Sequence, residues 1–292
     1  MNIKLKCILA IISFGMVGIF VHFIPLSSEC VVLYRAVLAN IYFIIVSFVT
    51  KRKCDVDNIK KNIIWLCITG VCMALNWVCQ FEAYKIASVS VGTVCYNTMP
   101  IFVIILSTIF FKEKISLKNI LCIFLAMIGI VLVSDILKNG FIYEEFKGCA
   151  LGIIGALFYA LVVIINKKMK DINTYDKLIV QFLVVILIMV PYIMCDKNNS
   201  FLFASNIIKE KYFMGIICLL IVGFGITGVA YTFYYDSIIA IEAKDIAIYT
   251  YLDPVVALIL SFVILRERLN LLQIIGAILI LLATIINEKN KN

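Results

Sequence analysis

The sequence predicts an all-α integral membrane protein: ten transmembrane helices in two inverted five-helix repeats, with both termini cytoplasmic. Three observations lead there. Of 292 residues, 64% are apolar or aromatic and 15% are charged, where a soluble domain has about 45–50% and about 25%. The apolar residues fall into ten continuous runs. Sliding the chain along itself by 154 positions superimposes two of these runs together with their flanking residues.

The runs cover residues 7–24, 31–50, 62–82, 87–111, 118–134, 148–166, 178–195, 212–235, 245–265 and 269–287. Each is continuous rather than alternating and close to the roughly 20 residues that cross a bilayer as a helix. A helix also satisfies every backbone group within its own segment, as lipid requires. The first run follows Lys4 and Lys6 but lacks a small-x-small cleavage site, so it reads as an uncut first span rather than a signal peptide. The longest connection, Asp196 to Lys211, has room for a short surface helix.

With the amino terminus placed inside, inner segments carry seventeen Lys and Arg and outer segments carry eight, with Arg35 inside a span. The inner set includes Lys51, Arg52, Lys112, Lys114, Lys167, Lys168, Lys177 and Lys244. The bias puts both termini in the cytoplasm. It also accounts for the net charge of +8, because the basic residues sit between apolar runs and not on one face of a soluble fold. Nucleic acid is therefore not an expected partner. The expected partners are the lipid bilayer of the cell membrane, inner or plasma, and a small-molecule solute; a monomer suffices for both.

Eleven cysteines and one histidine offer no C-x-x-C pair and no cluster with metal-ligand spacing. No metal, cofactor or catalytic residue is expected, and the chain does not read as an enzyme. Gly223, Gly225 and Gly228 spell G-x-G-x-x-G, yet they lie inside an apolar run with no strand before them. They read as small residues permitting close helix contact, like Gly148, Gly152 and Gly155.

The repeat is specific. At a displacement of 154, Trp77 meets Tyr231, Phe81 meets Tyr235, Glu82 meets Asp236, and Pro100 meets Pro254. Lys112-Glu113-Lys114 meets Arg266-Glu267-Arg268. The halves are residues 1–140 and 141–292. Five spans per half is an odd number, so the second half enters the membrane from the opposite side. Inverted halves are a transporter architecture with the substrate site near the midplane between them.

At these residues the sequence resembles the EamA-type transporters of the drug/metabolite transporter superfamily. The matching stretches are Asn76 to Leu132 and Gly228 to Thr284, with the Ala83-Tyr84-Lys85 corner, Pro100 and Glu113 answered by Ser237, Pro254 and Glu267. Gly148 to Lys168, with Phe158-Tyr159-Ala160, is similar to the family's sixth helix, and Arg35 falls where the family often has an Arg. Phe14-Gly15 stands where Trp-Gly is often seen. The resemblance implies a secondary transporter of small metabolites, with export of amino acids or related compounds the expected activity. A sensor or assembly component on the same fold, or a membrane-embedded enzyme on lipid-linked substrates, is the alternative.

The residues expected to line a solute cavity follow helical spacing. They are Asn76, Trp77 and Gln80 on the third span, with Met73 and Tyr84 on the same face, then Tyr96 and Asn97 on the fourth, with Thr93. The second half offers Tyr159, Tyr231, Tyr234, Thr250 and Tyr251, with Thr227 and Ala247 alongside. Aromatic faces with a few hydroxyl and amide groups suit a neutral or zwitterionic solute, and the same stripe also serves helix packing. Arg35 and Asp253 are the charges inside spans. Arg35 either snorkels to the outer interface or attracts a substrate carboxylate or holds a gate. Asp253 either binds a cation or ammonium, couples protons, or is satisfied locally beside Pro254. Pro100 and Pro254 are expected to kink their spans and act as hinges. Glu113 and Glu267 are expected at helix N-termini or beside Lys and Arg. Glu82 and Asp236 are expected to cap turns, and His22 to sit at the outer interface.

Overall fold

The computed structural model describes residues 2–52, 54–86, 95–133, 146–195, 209–264, 266 and 270–288. All regular structure among them is helical: α1 (Ile3–Gly15), α2 (Val17–His22), α3 (Ser28–Val49), α4 (Val56–Ile86), α5 (Met99–Phe111), α6 (Leu117–Val133) and α7 (Phe146–Lys168). The second part continues with α8 (Thr174–Cys195), α9 (Lys209–Leu220), a π-helical segment (Ile221–Ala230), α10 (Tyr231–Ala240), α11 (Ala243–Tyr249), α12 (Leu252–Ile264) and α13 (Leu271–Glu288). Seven helical stretches are long and apolar enough to cross a membrane, and three shorter apolar helices, Met99–Phe111, Leu117–Leu132 and Leu271–Ala283, accompany them. Thr93, Glu267, Arg268 and residues 196–208 of the longest connection lie outside the described residues, as do the side chains of Phe81, Tyr84 and Lys85.

Polar side chains start the helices where the sequence supplies them. The Asn2 side chain accepts from the Lys4 amide at 3.1 Å, and Ser27 accepts from Cys30 at 3.4 Å. Two starts are alike. Ahead of α6, Ser116 and Asn119 exchange hydrogen bonds, each side chain accepting the other's backbone N–H. Ahead of α13, Asn270 and Gln273 do the same, at 3.0 and 2.8 Å. Both are reciprocal capping boxes, and they stand 154 residues apart. The ends of α5 and α12 match as well: Lys112 and Arg266 both adopt left-handed backbone, with φ of 53° and 56°.

Packing pairs the two parts. The closest partnership is α4 with α7, and α10 with α1 is its counterpart with the parts exchanged. In the same way α4 meets α8 while the π-helical segment meets α3, and α5 meets α7 while α12 meets α1. The pairs α6–α13 and α3–α8 join equivalent elements. Between helices in lipid there is no hydrophobic drive, so close backbone approach through small residues has to supply the contact. A Cβ on Gly129 would stand 2.7 Å from the Gly276 carbonyl oxygen, and one on Gly223 would stand 2.5 Å from Leu38 Cβ. Gly228 likewise meets the Tyr42 ring, while Gly225 faces nothing within 4 Å. Two of the three glycines of the G-x-G-x-x-G run thus serve the contact with α3.

Large apolar side chains also cover the outside, among them Phe48, Phe124, Leu187, Phe213 and Val263. A surface facing water would not carry so many together; a bilayer accepts them. The interior core is centred on Phe43, Phe182, Trp77 and Tyr235, and a second cluster joins α6, α13 and the α11–α12 region.

The prolines differ from expectation. Pro100 is in the first turn of α5 and Pro254 is the third residue of α12. Neither kinks a continuous helix. Each follows a break, at Asn97–Thr98 and at Thr250–Tyr251, because the missing N–H costs nothing in a first turn. Glu82 and Asp236 also lie within helices rather than in turns. Glu82 accepts from the Tyr192 hydroxyl at 3.4 Å, and Asp236 pairs with Lys6 at 3.1 Å and accepts from Thr174 at 2.8 Å.

Candidate functional site

The breaks before the prolines and the face of α4 enclose a cavity of about 150 Å³ at the centre of the bundle. α4 supplies Met73, Asn76, Trp77 and Gln80, at the three- and four-residue spacing that puts side chains on one helix face. α10 supplies Tyr231, Tyr234 and Tyr235 from the turn that follows the π-helical segment. α7 adds Tyr159, α3 adds Arg35, and α1 adds Ile11 and Phe14. Tyr96, Met99, Thr250 and Asp253 come from around the two helix breaks.

Hydrogen bonds and ring contacts hold these walls. Asn76 donates through Nδ2 to the Gly155 carbonyl at 2.8 Å and to the Tyr96 hydroxyl at 3.1 Å, tying α4 to α7 and to the chain before α5. The Tyr159 and Tyr234 hydroxyls are hydrogen-bonded to each other, joining α7 to α10. Tyr231 packs against Phe14 with ring centres 5.0 Å apart, and against Phe182 at 5.5 Å. The Arg35 guanidinium lies 4.6 Å from the centre of the Trp77 ring, a cation–π arrangement. Thr250 spends its hydroxyl locally, donating to the Ala247 carbonyl at 2.6 Å.

Of the residues expected at a cavity, Asn76, Trp77, Gln80, Tyr96, Tyr159, Tyr231, Tyr234, Thr250, Arg35 and Asp253 are brought together in it. Asn97 and Tyr251 are not. Asn97 is buried in the turn before α5. Tyr251 lies instead in the cluster between α6 and α13 that also holds Ala126 and Ile280, since successive residues of a helical turn point to different faces. Thr227, also weighed for this face, donates to the Val222 carbonyl five residues back, within the π-helical segment. Arg35 is 7% exposed, so it does not snorkel to an interface. His22 ends α2, exposed and beside Phe23.

Tyr235, Phe14 and Met99 belong to the cavity but were not picked as lining residues from the sequence. Tyr235 stands four residues after Tyr231 on the same helix face, a signal that was available. A polar chain below the cavity was not foreseen either. Tyr235 donates to Met73 Sδ at 3.4 Å and lies 3.4 Å from Asn166, whose Oδ1 accepts from Gln181 at 2.9 Å. Lys177, counted from sequence as an inner loop lysine, is 1% exposed and donates to the Asn166 carbonyl at 3.3 Å.

At the end of the bundle carrying the amino terminus, Glu113 is a cap. Its carboxylate accepts from the Ala243 and Lys244 amides at 3.3 and 3.4 Å, at the start of α11, and pairs with Lys167 at 3.2 Å. Lys167 also donates to the Ile241 carbonyl at 2.5 Å. No group of three or more His, Cys, Asp or Glu gathers into a metal-binding cluster among the described residues, and all eleven cysteines are free thiols.

The family model of EamA-like transporters matches residues 3–135 and matches again over residues 146–287. The chain belongs to the EamA-like transporter family. It is 24% identical over 279 residues to an uncharacterised transporter of Bacillus subtilis, covering 94% of this chain and 86% of that protein. An uncharacterised transporter of Archaeoglobus fulgidus is 26% identical over 259 residues, 88% of this chain and 87% of the relative. A solved crystal structure superimposes with a TM-score of 0.82 at 12% identity, over 98% of this chain and 96% of that one. That likeness is one of fold. The EamA chain described here is thus a multi-pass membrane protein of a transporter family, and its central cavity is the candidate solute site.

Proposed function

We propose that this EamA chain is a secondary transporter that carries a small organic solute through the central cavity by alternating access, and that it exports amino acids or related metabolites. The observation that carries the reading is the origin of the cavity walls. Trp77, Asn76 and Arg35 come from the first half, while Tyr159, Tyr231, Tyr234 and Asp253 come from the second. A solute held there touches both halves, so a rocking of one half against the other changes which side it faces.

The reading includes ten spans in two inverted repeats, residues 1–140 and 141–292, with both termini cytoplasmic. It is supported by the paired capping boxes, the paired left-handed ends at Lys112 and Arg266, and helix contacts that recur with the halves exchanged. Aromatic walls with few polar groups suit a solute with an apolar body. Export is the expectation that the family resemblance brings.

Counterflow in proteoliposomes tests this, with labelled amino acids, nucleosides and sugars, with and without a pH gradient. Saturable exchange of one solute class is the expected result. Saturable binding without exchange of any solute, in folded protein, replaces the carrier with a sensor.

A further inference from the structure

Lys177 is a buried amine that the solute cavity does not use. It is the fourth residue of α8 and is 1% exposed, enclosed where α8 packs against α3, α4 and α10. A lysine ammonium has three donors. Among the described residues Lys177 has one hydrogen bond, to the Asn166 carbonyl of α7 at 3.3 Å, and no ion pair. The first turn of a helix also disfavours a cation, because the helix dipole is positive there.

The groups around it leave the amine without a bonded counter-charge. Gln181, one turn further along α8, donates to Thr69 of α4 at 2.6 Å and to the Asn166 side chain at 2.9 Å. Asn40 of α3 donates to the Ile179 carbonyl at 3.3 Å. Both amides are neutral, and each keeps a buried oxygen with no hydrogen-bond partner. The charged groups are engaged elsewhere or exposed. Asp236 of α10 is held by Lys6 of α1 and by Thr174, and Asp171 ahead of α8 is exposed. Both act on Lys177 through space without bonding it. Asp176 accepts from the Asp55 amide, Arg52 after α3 is exposed and donates to Asn173, and Lys167 of α7 is paired with Glu113.

Position ties this amine to both the cavity and the end of the bundle. Tyr235 lines the cavity, and its hydroxyl accepts from Asn166 Nδ2 at 3.4 Å. Asp236, the next residue on α10, holds Lys6. An ammonium in the membrane interior with one neutral acceptor is costly, and the uncharged amine is far less so. Separation of Lys6 from Asp236 would admit water and free a carboxylate for the ammonium. The two arrangements therefore bind a proton at Lys177 with different affinity. A proton shifts the balance toward the arrangement that binds it better.

We infer that Lys177 is a proton-binding site outside the solute cavity. It is an uncharged amine in the arrangement described here and becomes an ammonium when the Lys6–Asp236 end opens, so proton uptake favours opening. The proton passes from water to the Nζ lone pair and returns to water; no other bond changes. The inference rests on the carrier reading, which supplies an end that opens.

Cys7 reports the opening. It follows Lys6 on α1, is buried, and its thiol meets the Ser237 hydroxyl on α10. Alkylation of Cys7 by iodoacetamide is followed by mass spectrometry in the full chain, with the other accessible cysteines replaced, from about pH 6 to about pH 10. An ordinary thiol reacts faster as the pH rises and levels off past its own titration, near about pH 8.5. The parent rate is expected to fall instead, by at least about threefold between about pH 8.5 and about pH 10, as Lys177 loses its proton and the open arrangement loses its advantage. Loss of charge at Lys6 acts in the opposite direction, by freeing Asp236. Lys177→Met is expected to level off like an ordinary thiol. It keeps an unbranched side chain without the charge, a replacement that buried charged sites tolerate; Lys177→Gln is the second neutral variant.

A parent rate that stays level up to about pH 10 overturns the inference. So does the same fall in a folded Lys177→Met or Lys177→Gln protein, which assigns the proton elsewhere. Cys7 that reacts at no pH overturns it as well, because that end does not open. Saturable exchange of a solute with a level Cys7 rate leaves the carrier standing without the proton site. A fall that the neutral variants abolish, with no exchange of any solute, upholds the site and removes the carrier.

Discussion

Glu113 and Lys167 form a 3.2 Å ion pair across the two halves of the chain, and each is also bound to backbone at the start of α11. Both side chains are about nine-tenths buried. Lys6 and Asp236 make a second link between the halves at the same end. In the proposed carrier, opening of the cavity at this end requires these links to separate.

Glu113→Ala is expected to destabilise the protein by about 3–5 kcal/mol, because it strands the buried Lys167 ammonium and removes a helix cap. Lys167→Met is expected to be similarly costly by stranding the Glu113 carboxylate. The double variant is expected to lose less than the two singles together. Thermal unfolding of all four proteins in one detergent gives the coupling; strict additivity means that the two residues do not act as a pair.

Close helix contact makes a second prediction. Gly129→Ala places a methyl group 2.7 Å from the Gly276 carbonyl and from Ile280 Cγ1, and backbone cannot step aside cheaply. A loss of about 1–3 kcal/mol is expected from this overpacking. Gly225→Ala, with nothing within 4 Å, is expected to leave the melting temperature unchanged or slightly raised.

The cavity wall and its neighbour behave differently under substitution. Trp77→Ala and Tyr231→Ala are expected to reduce transport at least about tenfold while membrane insertion stays normal, as loss of a central aromatic contact does. Tyr251→Phe is expected to transport like the parent protein. The Tyr251 hydroxyl is buried with no hydrogen-bond partner and lies off the cavity, so removing it relieves a cost rather than a contact. Flux measured in all three, at matched reconstitution, checks the assignment.

Orientation is readable through native thiols. Cys54 and Cys195 are both exposed. The Asp55 amide donates to Asp176 at 3.3 Å, so Cys54 lies beside the start of α8, while Cys195 ends that helix about 33 Å away at 1.5 Å per residue. A membrane-impermeant maleimide applied to intact cells is expected to label Cys195, and Cys54 only after permeabilisation. Burial, with the Asp176 and Asp55 carboxylates adding to it, pushes the Cys54 thiol above its ordinary value. Less of it is thiolate at neutral pH, so its labelling is expected to rise steeply as the pH is raised past 8. Labelling of Cys54 in intact cells places the termini outside.

Much of this was legible in the chain. Continuous apolar runs locate helices wherever lipid forbids other backbone, so spans such as 31–50 and 148–166 coincide closely with α3 and α7. The stripe Asn76, Trp77, Gln80 was visible because helical spacing alone decides which side chains share a face. What was not legible depends on breaks and distances. Pro100 and Pro254 begin helices because the chain turns just before them, and periodicity does not register a turn inside an apolar run. Lys177 reads as a loop lysine by position, and only the packing of α8 against α3 and α4 and its bond to the Asn166 carbonyl bury it.

In the proposed carrier one cavity serves both sides of the membrane, and Met73 is the place to test it. Met73→Cys puts a thiol at the cavity wall of α4, in a protein whose other accessible cysteines are replaced. In vesicles of defined orientation, a small impermeant thiol reagent is expected to reach this cysteine from either side, with saturating solute changing both rates. Reaction from one side only, under every condition of solute and pH gradient in which exchange is measured, contradicts alternating access through this cavity.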